Sequence, residues 1–362
     1  MSWSWTLYRY IARQFLAGVG IVLAAFAFLS FSIDVVDLFN QTAGKRVPTS
    51  AVIGMALLQL PDLCLKLLPF AVLLGGVLAL VRLSRSQELI AVRAAGLSAW
   101  NLLAPPLTVA VALGVFTVVA FTPFSSLLLQ RFSGLEARYI HNEPSQLAVS
   151  RNGLWLRQGS TARQSVIHAL RVAEQGVRLE QVIVFLYGAH DLFLGRIDAK
   201  GAALESGIWK LRDAWVSDGN GGRPVHHVEY PLATTLTPAR IQESFAAPDT
   251  MSFWDLPGFI QTAQQAGFGA RRYALYFESL LVLPALLAAM VFMAASFSLR
   301  MARLGGMGRV VLYSTLCGFG IYFFGDVTQA LGISGILPVP LAAAAPATAA
   351  ILLGMTLVFH QE

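Results

Sequence analysis

The sequence predicts a membrane α-helical bundle of six transmembrane helices, arranged three and three, with an inserted all-β domain of jelly-roll-like or β-sandwich character. Three observations carry this. Of 362 residues, 56% are hydrophobic and only 13% are charged, about half the roughly 25% charged share of a soluble chain. The shortage is local: no Asp, Glu, Lys or Arg occurs from Ala94 to Gln130, from Ser279 to Leu299 or from Val327 to Gln361. A spanning helix needs about 20 mostly apolar residues to cross about 30 Å of hydrocarbon, and these runs reach that length. The polar middle instead shows short β-branched and aromatic runs separated by turn residues.

Residues 1–135 hold the first three helices, with a short cytoplasmic helix near 83–95. Residues 136–270 form the β-rich domain and a short return helix, and residues 271–362 hold the last three helices. The apolar run after Gln14 exceeds the length of a signal-peptide core, so it reads as a retained first helix, about Ile11–Ile33, continuing a turn or two through Asp34 and Asp37. A loop with Asn40, Gly44, Lys45, Arg46 and Pro48 follows. The second helix, about Val52–Leu80, contains Pro61 and Pro69, which should bend it. Asp62 and Lys66, four apart, share one face of it. The third runs about Leu97–Leu129 with Pro105 and Pro106 near its start; the last three lie near 274–299, 309–330 and 338–359.

Within roughly 140–250, strands are expected at Leu154–Arg157, Ser165–Ala173, Arg178–Tyr187, Leu192–Ala199 and Ile208–Ser217. Val182–Tyr187 is apolar on both faces, which implies burial on both sides. Asp218-Gly219-Asn220-Gly221-Gly222 marks a turn. Ser252, with Asp255 three residues on, suits the start of a short helix through Gln265.

Cation placement sets the orientation. With a cytoplasmic N-terminus, the inside segments hold Arg9, Arg13, Arg82, Arg85, Arg93, Arg300, Arg303 and Arg309. The short outside loops hold only Lys45 and Arg46. Cytoplasmic enrichment of Lys and Arg is the rule for multi-pass proteins. Arg271 and Arg272 fall outside, beside the large domain, where the rule loses force. Both termini are then cytoplasmic and the central domain is periplasmic. The net charge of +6 is explained by this topology rather than by nucleic-acid binding.

Several chemistries are missing. No G-x-x-x-x-G-K-[ST] loop, H-E-x-x-H, C-x-x-C or G-x-S-x-G occurs, so the chain reads as neither an ATPase nor another catalyst, and no cofactor or metal is expected. His226 and His227 are adjacent and would point to opposite faces of a strand. Cys64 and Cys317 fall in apolar helices and read as packing residues. Asp62, Glu278 and Asp326 each lie near an expected outer helix end, within reach of water, which speaks against a deep proton relay.

Two features suggest work. The segment Arg82–Gly96 combines helix formers, mixed charge and a terminal Gly. It suits a short amphipathic helix docking into a cytoplasmic partner, with Glu88 as the exposed carboxylate and Arg85 and Leu89 beside it. It equally suits a plain connection in which Glu88 pairs with Arg85. At the outer end of the helices, Lys45, Arg46, Arg131 and Arg138 would gather where an anionic headgroup lies. Each alone also suits interface anchoring.

The order of these features over essentially the whole chain resembles the LptF/LptG permease family. Pro61 with Leu67-Leu68-Pro69-Phe70-Ala71-Val72-Leu73-Leu74-Gly75 resembles its second helix. Ser86-Gln87-Glu88-Leu89 followed by Ala95-Gly96 resembles its coupling helix. Gly153-Leu154-Trp155 resembles its first periplasmic strand, Leu236-Thr237-Pro238 and Met251-Ser252 its return to the membrane, and Gly332-Ile333-Ser334-Gly335 with Leu337-Pro338 the loop before its last helix. Gly153–Trp155 and Asp326–Pro338 are closer to the LptG branch than to LptF. The resemblance implies an inner-membrane permease that extracts lipopolysaccharide and passes it to a periplasmic bridge. Its implied partners are an LptF-like permease, a dimer of an LptB-like ATPase, and LptC-like and LptA-like bridge proteins. Glu88 matches the carboxylate that meets the ATPase. One departure stands out: Asp34 falls where the family often has a lysine near the substrate, and Lys45 and Arg46 are the cations placed to substitute for it. An ion-coupled secondary transporter, or a non-transporting complex subunit with a docking domain, is the alternative reading.

Overall fold

The structure, a computed structural model, describes residues 5–45, 47–86, 99–136, 139–140, 147–150, 153–160, 163–173, 178–188, 192–205, 207–219, 222–234, 247–265, 269–301 and 307–359. Among the described residues, six helices are long and apolar enough to span a membrane. They are α1 (Trp5–Thr42), α2 (Thr49–Arg85), α3 (Ala99–Phe116, continued through a π-helical turn at Thr117–Phe121 into Thr122–Glu136), α5 (Arg271–Met301), α6 (Met307–Ser334) and α7 (Val339–Phe359). A short α4 (Leu256–Gln265) precedes α5. Seven strands are described between α3 and α4: β1 (Leu147–Ser150), β2 (Gly153–Ser160), β3 (Arg163–Ala173), β4 (Arg178–Gly188), β5 (Phe193–Glu205), β6 (Ile208–Asp218) and β7 (Val225–Ala233). The expected three-and-three division around a β insert is therefore present.

The chain divides into two compact units. One comprises Met1–Ile140, Ser252–Trp254 and Ala274–Glu362, and the other His141–Met251 and Asp255–Tyr273.

In the helical unit, α1 and α2 are longer than the apolar runs alone suggest. Past Ile33, α1 keeps its helix because the polar residues bond within it: Gln41 Nε2 donates to Asp37 Oδ2 at 2.8 Å and Thr42 Oγ1 to the Leu38 carbonyl at 2.7 Å. Asn40, expected in the loop, is still helical. The two helices cross at Gly18 and Gly75. A Cβ on Gly18 would lie 2.5 Å from the Gly75 carbonyl oxygen, and a Cβ on Gly75 would lie 2.5 Å from Val19 Cα. Small residues of this kind let backbones approach and gain dispersion contact, which drives helix association in lipid, where no hydrophobic effect operates between helices. Gly114 of α3 likewise meets Pro284 of α5, with a built Cβ only 2.5 Å from Pro284 Cα. The π turn in α3 is stitched by its own hydroxyls, Thr117 Oγ1 to the Leu113 carbonyl at 2.7 Å and Thr122 Oγ1 to the Thr117 carbonyl at 2.9 Å. Trp254 Nε1 donates to the Val119 carbonyl within that turn at 3.4 Å, and Phe253 stacks on Phe277 of α5 at 5.2 Å between centroids.

The β unit carries one antiparallel sheet in the order β1-β2-β3-β4-β5-β6-β7. The likeness to a jelly roll extends to an all-antiparallel domain with an apolar face. The connection among the described strands is a simple meander, with each strand paired to its sequence neighbour. Ile167, Ala169, Leu179, Val182, Val184, Ile197, Ala202, Leu211 and Ala214 form its core around Trp209, which is fully buried. The Val, Leu and Ile side chains among them stabilise by about 1.5–3 kcal/mol each on full burial. On β4, Val182 and Val184 face this core while Ile183 and Phe185 are half-buried on the other side, so the expected two-sided burial of Val182–Tyr187 is strong on one face and partial on the other.

Three strand details depart from expectation. β5 runs on through Gly201, Ala202 and Ala203, residues of low strand preference that are held by pairing on both sides. β7 is an exposed edge strand with Pro231, and sequence reasoning passes over it because Pro demotes a strand and no clean alternation survives. β1, at four residues, is too short to carry a pattern. The short helix begins at Leu256; Asp255 stands just before it, with its carbonyl accepting from Phe259 N at 3.0 Å, and Ser252 Oγ accepts from Trp254 N at 3.3 Å.

Candidate functional site

Two of the expected headgroup cations, Lys45 and Arg131, flank one apolar cluster. Leu38 near the end of α1, Val52, Met55 and Ala56 near the start of α2, and Leu129 and Phe132 near the end of α3 are buried together, with Tyr139 and Ile140 packed against them. These helix ends therefore meet at one end of the bundle. Lys45, just past α1, and Arg131, on the last stretch of α3, are both exposed there. The Lys45 ammonium donates to the Ile140 carbonyl at 2.7 Å, tying the α1–α2 turn to the segment that follows α3. An ammonium has three donors, so this bond leaves Lys45 able to meet an anionic group. Arg46 and Arg138, expected beside them, lie outside the described residues.

Asp34 sits on α1 with Oδ2 enclosed and meeting no donor among the described residues. No basic residue is shown compensating it; Lys45 bonds to a backbone carbonyl instead.

At the opposite end of α2, Arg85 is its last residue and is exposed. Ser86 closes the helix, its backbone N–H donating to the Arg82 carbonyl at 3.0 Å and its hydroxyl to the same oxygen at 3.1 Å. Glu88 and Leu89, the rest of the expected coupling site, lie outside the described residues, as does most of the expected helix near 83–95.

Asp62 corrects the expectation of a water-accessible position. It is 4% exposed, thirteen residues into α2, or about 20 Å along the axis. Its Oδ2 meets Lys66 Nζ at 2.6 Å, and the Lys66 side chain is 53% exposed. The lysine stem reaches outward while its charge neutralises a carboxylate in apolar surroundings. Asp326 is exposed and Glu278 half-buried. Cys64 and Cys317 are unbridged and half-buried. Among the described residues no cluster of His, Cys, Asp and Glu has metal-binding geometry.

One feature of the β unit escapes sequence reasoning. The ladders of four successive strand pairs skip the same row, Leu170, Gln181, Lys200, Asp213 and Val228. The inward-facing pairs around it, Leu179 and Val182, Ala199 and Ala202, Leu211 and Ala214, are three residues apart where an unbroken strand would give an even spacing. Each strand gives one unpaired residue to this row and the register on either side is unchanged, so the alternation of faces shifts by one residue in all these strands together. Gln181 and Asp213 adopt left-handed backbone there, with φ of 52° and 54°. The signal in sequence is that spacing of three, visible only once the strands are aligned. In the row, Asp213 Oδ2 pairs with Lys200 Nζ at 2.5 Å and Oδ1 with His226 Nε2 at 2.5 Å. The Lys200 hydrogen bond, then that of His226, hold the Asp213 carboxyl below its ordinary range, and the same bond raises Lys200. His227 lies instead against Tyr230.

Six apolar spans around an all-β insert define a multi-pass membrane protein of the permease class. The family model described as lipopolysaccharide export system permease LptF/LptG matches residues 9–359. The chain belongs to this family. It is 24% identical over 339 residues, 91% of its own length and 92% of the relative's, to the lipopolysaccharide export system permease protein LptG of Escherichia coli K12. It is 22% identical over 326 residues, 89% of each chain, to the protein of the same name from Haemophilus influenzae Rd.

Proposed function

We propose that this chain is the LptG-type permease subunit of a lipopolysaccharide export system in the bacterial inner membrane, with both termini cytoplasmic and the β unit periplasmic. The carrying observation is the family match from residue 9 to residue 359, which spans all six helices and the β insert. The physics suits this role. Each acyl CH₂ exposed to water costs about 0.8 kcal/mol, so a lipid with several chains must move along continuous apolar cover. α1 offers such a surface: Phe28, Leu29, Ile33 and Val36 are exposed along it. Lys45 and Arg131, with Arg46 and Arg138, are the cations that would meet the phosphate-bearing headgroup.

In this reading the chain pairs with an LptF-like permease and is driven by a dimer of an LptB-like ATPase that grips Glu88, Arg85 and Leu89. It delivers its substrate to LptC-like and LptA-like bridge proteins. Hydrolysis belongs to the ATPase, since the sequence has no phosphate-binding loop.

Pull-down of the native complex in mild detergent, followed by mass spectrometry of proteins and lipid, tests the whole assembly. Lipopolysaccharide and an ATP-binding subunit should copurify with the wild-type chain. Glu88→Ala should release the ATPase by roughly tenfold or more, as for loss of a charge-assisted contact at an interface, while the membrane unit stays folded. Unchanged ATPase recovery would refute the assignment of Glu88. Turnover of ATP by the purified chain alone would refute the division of labour.

A further inference from the structure

We propose that the face of the sheet opposite its apolar core binds a neutral saccharide in the cavity between His168 and Trp215. Trp155, His168, Ile183, Asp198, Trp215 and His226 are successive cross-strand partners from β2 to β7, so they share one face. Five strand spacings of about 4.8 Å make this row about 24 Å long, enough for several sugar rings. The unpaired row lies beside it, and between the two opens a cavity of about 370 Å³ lined by His168, Gln181, Ile183, Lys200, Asp213 and Trp215, among others. Pockets for small ligands start at about 300 Å³.

The chemistry of the lining selects the ligand. Trp155 and Trp215 are 39% and 48% exposed. Each is fixed by a histidine on the next strand, at 4.2 Å to His168 and 4.7 Å to His226 between ring centroids. A held, exposed aromatic ring matches the apolar C–H face of a sugar. The charges around the cavity cancel: Lys200 pairs with Asp213 and Arg196 with Asp198, each at 2.5 Å. Among the described lining residues the lysine, Lys200, is already paired with Asp213, so a phosphate or carboxylate would have to compete for it. The paired groups still have spare capacity, because an ammonium carries three donors and a carboxylate about four acceptor sites. A fixed alternation of donors and acceptors beside an aromatic face suits vicinal hydroxyls. A protein partner adding a strand would use a sheet edge, where backbone groups are free, rather than this face.

The site is independent of the export reading. A free oligosaccharide and the sugar portion of a glycolipid present the same chemistry to it. The test uses the full chain in nanodiscs and saturation-transfer NMR, with three probes: maltotriose and isomaltotriose as neutral saccharides, and glucose 1-phosphate as the anion. Saturation should pass to the sugar C–H protons of at least one neutral saccharide. Trp215→Ala should weaken its binding about tenfold, the scale of a lost aromatic contact. His168→Ala, on the other wall, provides a second variant if the first fails to fold. Glu205→Gln, in a separate ion pair with Lys210, should leave binding unchanged. Competition by intact lipopolysaccharide would assign the site to a glycolipid, and its absence to free sugar. The proposal is overturned if both neutral saccharides are inert at millimolar concentration. It is equally overturned if glucose 1-phosphate binds more tightly than either, or if folded Trp215→Ala and His168→Ala bind as wild type.

Discussion

Asp213 occupies left-handed backbone at φ 54° while its carboxylate serves both Lys200 and His226. Strain of this type costs about 1–3 kcal/mol and persists where surrounding contacts over-determine it. The two partners also make the site sensitive to pH. Asp213 titrates below the ordinary 3.8 because its charged form is hydrogen-bonded. Its stabilising contribution is present above the unfolded value and is lost as pH falls through the lower folded value. Lys200 titrates above the ordinary 10.5. Its contribution is present below that value and is lost as pH rises through the higher folded one. Asp213→Asn should therefore flatten both limbs of the stability profile, read as melting temperature against pH. A profile with unchanged limbs would exclude this network as their source. Gly75 poses the second residue-scale test. Gly75→Leu drives a side chain into Val19, and overpacking costs about 1–3 kcal/mol, so the melting temperature in detergent should fall. Gly20→Ala, with nothing within 4 Å of the added carbon, is the matched control and should be nearly neutral.

The elements differ in how openly the sequence displays them. The six spans are legible because a helix in lipid must satisfy its own backbone and cover about 30 Å with apolar side chains; composition alone then marks its place. Helix ends are less legible. Asp34 and Asp37 look like the end of α1, yet the helix runs to Thr42 because polar residues at that level bond to their own turns. Strands were found where β-branched residues cluster, as in β3, β4 and β6, and missed where the partner strand supplies the stability, as in β7. The unpaired row is the clearest case, since no single strand shows it. It predicts that Gln181→Val, which places a β-branched residue at φ 52°, destabilises the β unit by about 1–3 kcal/mol, whereas Gln181→Gly is tolerated. Urea unfolding followed by tryptophan fluorescence would separate the two; equal midpoints would argue that the left-handed position relaxes at no cost.

For the whole molecule, the proposed topology, with the β unit across the membrane from the N-terminus, follows from the positive-inside rule and can be tested at one residue. Val228 is 77% exposed on the edge strand. Val228→Cys, in a background lacking Cys64 and Cys317, should react with a membrane-impermeant maleimide once the outer membrane is permeabilised. Reaction only after lysis of the inner membrane would reverse the topology. The same scale shows how little of the candidate site is local. The proposed coupling residues Arg85, Glu88 and Leu89 are neighbours in sequence, so a motif alone can single them out. Lys45 and Arg131 are distant in the chain and are gathered at one end of the bundle by the shared apolar cluster of α1, α2 and α3.

The sequence by itself determined the six spans, the inserted β domain, the family and the absence of a nucleotide loop. These follow from composition, period and motif, which are properties of consecutive residues. Only the tertiary structure decided that Asp62 is buried against Lys66, that α1 and α2 touch at Gly18 and Gly75, and that four strand pairs skip one row together. Such facts depend on which distant residues become neighbours. Packing density and cross-strand register set them, and neither is written in any one segment.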